Sequence, residues 1–249
     1  MTEIHIRDLD PRDEPKAIEF AIEGMHLHWF VKNPRFERAY GRYFWDLERA
    51  QATDILAAYA DDGRFLGVIL ASIKGEPALP YPWWRKAYVK AVDLFNSLRP
   101  GGHRGDYDAA NEDMLLSYLA ENTVDGEIGF LVADPNSGVK GVGTALLEAF
   151  EERHPGKDIY LYTDDGCTYQ FYDSRGFERV GRRKSPSIRT ATLPACCTSA
   201  TWREATASRH ANERSFTPRI YIGERYRLRG TNLRDAIFRG AGPPGAAPR

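Results

Sequence analysis

One stretch of this 249-residue chain, Glu127 to Phe177, narrows its possible folds more than any other. It begins with an alternating apolar run, Glu127-Ile128-Gly129-Phe130-Leu131-Val132-Ala133, which reads as a strand. A Pro135-Asn136-Ser137-Gly138 turn follows. Val139-Lys140-Gly141-Val142-Gly143-Thr144 then runs without a break into the helical pattern Ala145-Leu146-Leu147-Glu148-Ala149-Phe150. Glycines placed where a strand gives way to a helix let the backbone close on a ligand. The first N–H groups of such a helix have no partner inside it and lie at the positive end of its dipole. That arrangement suits an anion, above all a phosphate or pyrophosphate. The turn lacks the Gly-Lys-Ser/Thr ending of a P-loop, and its spacing does not fit Gly-x-Gly-x-x-Gly. A second strand is expected from Asp158 to Thr163. After it, Phe171-Tyr172-Asp173-Ser174-Arg175-Gly176-Phe177 supplies a short helix ended by glycine.

Upstream, Ile4-His5-Ile6-Arg7-Asp8-Leu9 alternates as an opening or edge strand. From Glu14 to Met25, the residues Ala17, Ile18, Ala21, Ile22 and Met25 share one face of a helix. Phe36, Tyr40, Tyr43, Phe44 and Leu47 form a second helical stripe. Asp54 to Ala60 and Phe65 to Ser72 are β-rich runs joined by Asp61-Asp62-Gly63, a hairpin signal. Between Gly75 and Asn122, the residues Trp84, Tyr88, Ala91, Val92, Phe95 and Leu98 recur at helical spacing, and a further helix is expected from about Ala109 to Glu121. That aromatic stripe is expected to pack on the sheet, and a second role for it is to wall a ligand pocket.

Hydrophobic residues at 42% and aromatics at 12% suffice for a sizeable core. No apolar run approaches the length of a membrane span, and the opening Met1-Thr2-Glu3-Ile4-His5 is not that of a signal peptide. Three cysteines, Cys167 alone and Cys196 beside Cys197, give neither a disulfide framework nor zinc spacing. A reduced, cytoplasmic protein without a metal is the expectation. From Ser185 onward there are eleven arginines and no lysine against four acidic residues, a surplus of seven positive charges. Residues 1–184 therefore carry a net −8. The arginines are scattered rather than gathered on one face, which speaks against a nucleic-acid arm.

Taken together, the two halves of 127–177 resemble the GNAT superfamily of acyl-CoA N-acyltransferases. That family's first motif, Arg/Gln-x-x-Gly-x-Gly/Ala at a helix start, is matched by Gly138-Val139-Lys140-Gly141-Val142-Gly143 except at its first position. Its second, Asn-x-x-Ala-x-x-aromatic-Tyr followed by Gly-Phe, corresponds to Asp165, Thr168, Phe171, Tyr172 and Gly176-Phe177. The likeness is specific over 127–177, permissive over 1–126, and ends near residue 184. It implies an α/β fold with a mixed central sheet, a splayed strand pair and flanking helices. The domain would span 1–184 with a helical insertion at 75–122, followed by an Arg-rich tail at 185–249 that reads as flexible. Within that tail, Phe216 to Tyr226 alone has β character and is the candidate for a last strand.

The resemblance also implies acetyl-CoA as acyl donor and a small-molecule or peptide amine as acceptor, with a homodimer as one possible assembly. Leu131 and Val132 would present main-chain groups to the pantetheine arm. Val139, Lys140, Gly141, Gly143 and Thr144 would cradle the pyrophosphate, with Gly138 standing where the family has Arg or Gln. Asp165 takes the place of an Asn that contacts the cofactor. Tyr172 matches the family's general acid: a phenol with a pKa near ~10 stays protonated at neutral pH and can protonate a departing thiolate. Glu127 is the candidate base, its alternative being a solvent-facing strand charge. His26 and His28 lie in the loop that often lines the acceptor site, and Cys167 is the weakest candidate, as a nucleophile. Two other classes of function remain: a non-catalytic CoA-binding or regulatory module, and nucleic-acid binding through the tail.

Overall fold

The computed structural model describes residues 2–24, 33–98, 106–163, 169–180 and 219–221. Its centre is a mixed sheet in the order β1-β2-β3-β4-β5-β7-β6. β1 (Ile4–Arg7), β2 (Asp54–Ala60), β3 (Phe65–Ile73) and β4 (Gly126–Ala133) form an antiparallel meander. β5 (Ile159–Leu161) joins β4 in parallel, β7 (Arg219–Tyr221) joins β5 in parallel, and β6 (Phe177–Arg179) closes the edge in parallel with β7. The meander follows from local chemistry. Gly63, at φ 78°, supplies the left-handed residue that the two-strand turn needs, and the runs on either side are buried along their whole length.

Helices cover both faces. On one, α5 (Val142–Arg153) crosses between the parallel strands β4 and β5. It packs Leu146, Leu147 and Phe150 onto Leu56, Ile69, Ile128 and Leu161. On the other lie α1 (Glu14–Gly24) and α2 (Pro34–Arg49), whose Ala17, Ala21, Phe44 and Trp45 bury against Val68, Phe130 and Val132. The start of α2 is set by the Asn33 side chain, which accepts from Arg35 N–H at 3.0 Å, with Pro34 in the first turn. Trp45, which the helical stripe omits, is fully buried and meets Phe130 edge-on at 6.2 Å. Phe36, which the stripe includes, is 68% exposed.

The insertion contains α3 (Trp83–Leu98) and α4 (Asp106–Leu119). Here the expectation for the aromatic stripe is overturned. Among the described residues, α3 packs on α2 rather than on the sheet. It leans on α2 through Val89 and Val92 against Tyr43 and Leu47, and Trp84 and Tyr88 stay exposed. The reason is polar. Arg85 bonds Glu14 of α1 and reaches the buried Asp46 of α2 at 3.5 Å, while Tyr81 O–H donates to Asp46 at 2.5 Å. This network fixes which side of α3 faces inward. α4 instead covers β5, with Met114 and Leu115 against Tyr160. No described helix is long and apolar enough to cross a membrane.

The region from residue 185 onward falls outside the described residues except for β7. There the backbone of Arg219–Tyr221, inside the 216–226 stretch of β character, pairs with both β5 and β6.

Candidate functional site

β4 runs on beyond the end of its pairing with β5, whose last residue is Leu161. The two strands pair at Gly126/Ile159, Glu127/Tyr160 and Ile128/Leu161 and no further, whereas β4 stays paired with β3 as far as Ala133. Past Ile128, no described strand pairs with the β5-facing edge of β4. Asp134 N–H donates to Leu66 O at 2.7 Å. Because opposed residues of an antiparallel ladder alternate between bonded and non-bonded pairs, Val132 also turns its main chain to β3. Leu131 and Ala133 turn theirs to the open side. Of the two residues proposed to present main-chain groups, Leu131 thus faces the gap, and Val132 is engaged in the ladder.

A bulge shapes this strand. The register passes from Ala71/Ile128 directly to Leu70/Phe130, leaving Gly129 as an extra residue. Side-chain alternation is reset there. Ile128, Leu131 and Ala133 pack toward α5, while Phe130 and Val132 pack toward α1 and α2.

At the mouth of the gap stands the glycine turn. Asp134 accepts from Asn136 N–H at 2.8 Å and Ser137 O–H donates to Asp134 O at 2.9 Å, so the turn is internally braced. Asn136 Nδ2 reaches Glu23 of α1 at 3.3 Å, and Arg64 of the β2–β3 hairpin donates to Ser137 O at 3.3 Å. Gly141 caps α5 at φ 88°, ψ 0°, a left-handed conformation that strains any residue with a side chain. The first bond of the helix runs from Ala145 N–H to Gly141 O at 2.9 Å. The amides of Val142, Gly143 and Thr144 therefore have no partner within the helix. Val139 N–H is already given to Ser137 Oγ at 3.2 Å, so its amide is not among the free ones. Lys140 is exposed and makes no ion pair among the described residues.

The short helix α6 (Gln170–Asp173) lies directly on the first turn of α5. A Cβ built on Gly143 would stand 3.0 Å from Phe171 Cζ, so glycine is what permits this approach. The Tyr172 ring meets Phe171 edge-on at 5.1 Å and Phe177 at 5.5 Å. Together with Leu131, Val139 and Phe171, it packs against the core on the α5 side of the sheet. Arg175, which sequence reasoning does not single out, donates through Nε to Thr144 Oγ1 at 3.1 Å and also bonds it through Nη2.

Glu127 is not a solvent-facing strand charge. It is 1% exposed and accepts from the equally buried Tyr160 O–H at 2.6 Å. The pair sits one rung before β4 and β5 separate. Neighbouring Ile128 packs toward α5, so Glu127 lies on the other face, with α4 and Tyr160. Glu127 and Tyr172 thus stand on opposite faces of the sheet, either side of the gap. The structure brings Leu131, Gly141, Gly143, Thr144 and Tyr172 together on the α5 side. Asp165, Thr168, Cys167, His26 and His28 lie outside the described residues.

No family model matches the sequence, and no curated protein does. In fold, the chain is similar to solved acetyltransferases. One is a histone acetyltransferase-related acetyltransferase from Corynebacterium glutamicum, at 17% identity and TM-score 0.47 over 80% of this chain and 95% of that one. A second is the PaiA N-acetyltransferase of Thermoplasma acidophilum in complex with coenzyme A, at 18% identity and TM-score 0.42 over 78% and 96%. A third is a GNAT-family acetyltransferase from Staphylococcus aureus, at 14% identity and TM-score 0.42 over 78% and 96%.

Proposed function

We propose that this chain is an acyl-CoA N-acyltransferase of the GNAT type, moving an acetyl group from acetyl-CoA to a primary amine by direct attack on the thioester. One observation carries the reading: the gap between β4 and β5, edged by the Leu131 main chain, opens beside the unpaired amides that begin α5. A donor with a long amide-bearing arm and a diphosphate matches both features at once. The arm extends along the free edge of β4, and the diphosphate meets Val142, Gly143 and Thr144 N–H.

Chemically, the amine nitrogen bonds to the thioester carbonyl carbon and the C–S bond breaks. The Leu131 N–H faces the gap and is the group available to polarise the carbonyl oxygen as negative charge develops there. Tyr172 gives its hydroxyl proton to the departing thiolate, whose conjugate thiol has an ordinary pKa near ~8.5. The acceptor attacks as the neutral amine, and its nitrogen, cationic once bonded to the carbonyl carbon, loses a proton toward Glu127. That carboxylate is buried behind Tyr160, so the proton arrives through water rather than by direct contact. Acceptor specificity would lie with the α1/α2 side, and the net negative charge of residues 1–184 favours a cationic amine.

The test is release of free thiol from acetyl-CoA in the presence of pooled primary amines, with the acetylated product identified by mass. Tyr172→Phe keeps the ring contacts to Phe171 and Phe177. It should lower turnover by ~10²–10⁴-fold while leaving the acetyl-CoA Michaelis constant near its starting value. CoA binding without amine-dependent thiol release would favour a non-catalytic CoA-binding module, a reading supported by Gly138 standing where the family has Arg or Gln. Absence of both binding and release would remove the assignment.

A further inference from the structure

We propose that Arg175 supplies the cationic contact to the donor's diphosphate that Gly138 cannot make, so that the diphosphate is held between α5 and α6 rather than by the glycine turn alone. This rests on the acyl-CoA reading of the site. Arg175 follows α6, yet its side chain reaches back to the third residue of α5. Nε and Nη2 both bond Thr144 Oγ1, while Nη1 donates to Phe171 O at 2.9 Å and Ser174 Oγ at 3.0 Å. The guanidinium carbon lies 3.7 Å over the Phe171 ring centroid, which holds its plane in place.

Two features of this arrangement call for an anion. The first is charge. A permanent cation is fastened against the positive end of a helix, where cations are disfavoured. Among the described residues, no carboxylate lies within ion-pair distance of it. Glu148, one turn further along α5, acts on it only at longer range, and burial pushes the guanidinium below its ordinary pKa. The second is the balance of donors and acceptors. Guanidinium has five N–H donors, and four are engaged, leaving one on Nη2. Thr144 Oγ1 accepts twice from the guanidinium, so its own proton is left to donate, and it has no acceptor among the described residues. With the amides of Val142, Gly143 and Thr144, this makes a cluster of spare donors for which no acceptor stands among the described residues. An oxyanion ligand between α5 and α6 answers both features, and a diphosphate oxygen can take the Nη2 and Thr144 protons together.

The experiment is calorimetric titration of the full chain with CoA, 3′-dephospho-CoA and pantetheine, using wild type, Arg175→Gln and Arg175→Lys. Glutamine keeps an amide donor and the contact with Phe171 but removes the charge. Arg175→Gln should bind CoA and 3′-dephospho-CoA about ten- to a hundredfold more weakly, in line with loss of a charge-assisted contact. Pantetheine, which lacks the diphosphate, should bind it as it binds wild type, and Arg175→Lys should recover part of the loss. If wild type binds CoA more tightly than pantetheine, but Arg175→Gln binds CoA within about twofold of wild type, the role of Arg175 is overturned and the acyl-CoA reading stands. That role is equally overturned if pantetheine binding falls in proportion, which marks a structural residue, or if the loss is confined to CoA, which marks a 3′-phosphate contact. Failure of wild type to bind CoA at all removes the acyl-CoA reading, and this proposal with it.

Discussion

Gly143→Ala sets two effects of opposite sign against each other at a single atom. In a helix, alanine is favoured over glycine by up to about 1 kcal/mol. At this position, however, the added Cβ meets Phe171 Cζ at 3.0 Å and Cε2 at 3.2 Å. The ring must retreat by a few tenths of an ångström, and it is hemmed in by the Arg175 guanidinium on its face and Tyr172 on its edge. Overpacking of this kind costs about 1–3 kcal/mol, so steric strain outweighs propensity. A net loss of about 0–2 kcal/mol is expected from urea unfolding. Phe171→Leu makes room, and in that background Gly143→Ala should become neutral or stabilising. The double-mutant cycle should therefore return a coupling of about 1–3 kcal/mol. CoA affinity should fall in Gly143→Ala alone, because moving α6 carries Tyr172 and Arg175 away from α5. If alanine stabilises by the same amount with and without Phe171, the close packing of α6 on α5 is wrong, and so is the site built upon it.

Arg85→Ala leaves the buried Asp46 with Arg42, 3.5 Å away, as its remaining cation. It also removes the bond to Glu14. A loss of about 2–3 kcal/mol is expected in urea unfolding, with faster tryptic cleavage at Lys86 and Lys90 as α3 comes away from α2. Asp158 has its carboxyl pushed above the ordinary range by burial and then by repulsion from Asp125. A raised folded-state pKa in an acid means that folding favours the protonated form. The group's opposition to folding therefore sets in above the unfolded pKa, is complete above the folded one, and vanishes as pH falls below both. Asp158→Asn should accordingly melt above wild type at pH 7.5, with the difference shrinking toward pH 4; a constant difference across that range would count against the repulsion.

Where neighbours in sequence settle the structure, the sequence is readable. The β2–β3 hairpin follows from Asp61-Asp62-Gly63 between two β-rich runs, and the start of α5 follows from its glycines. Where a distant partner decides, periodicity misleads. α3 carries apolar residues on two sides. Helical spacing selects Trp84, Tyr88 and Val92 for one stripe, but Arg85 binds Glu14 and Asp46 of other helices, so Val89, outside the stripe, turns inward with Val92 while Trp84 and Tyr88 stay exposed. For Glu127 the sequence leaves a solvent-facing charge open beside the candidate base, because the hydroxyl that holds it belongs to Tyr160, on a strand 33 residues away. Arg175 stays hidden for the same reason, its partner Thr144 being 31 residues upstream. The β character at 216–226 is legible as composition, but nothing local indicates that Arg219–Tyr221 would enter between β5 and β6.

The bulge at Gly129 is the least legible feature and the one on which the site most depends. Strict alternation along β4 would place Ile128, Phe130 and Val132 on one face. The extra residue separates them, sending Phe130 and Val132 to the α1/α2 side and Leu131 and Ala133 to the α5 side. Beyond it, the main chain of Leu131 points into the gap left by β5. Without the bulge, the main-chain direction at each position past Ile128 would be inverted, and Leu131 would be bound to β3. The bulge therefore turns toward the gap an N–H with no partner among the described residues, on a strand whose other edge is paired with β3 on both sides of Gly129. On the acyl-transfer proposal, a gap open to both faces would let an amine approach from the Glu127 side while a thiolate departs toward Tyr172. The proposed reaction, with a base on one face and an acid on the other, would then need neither residue to leave its own layer.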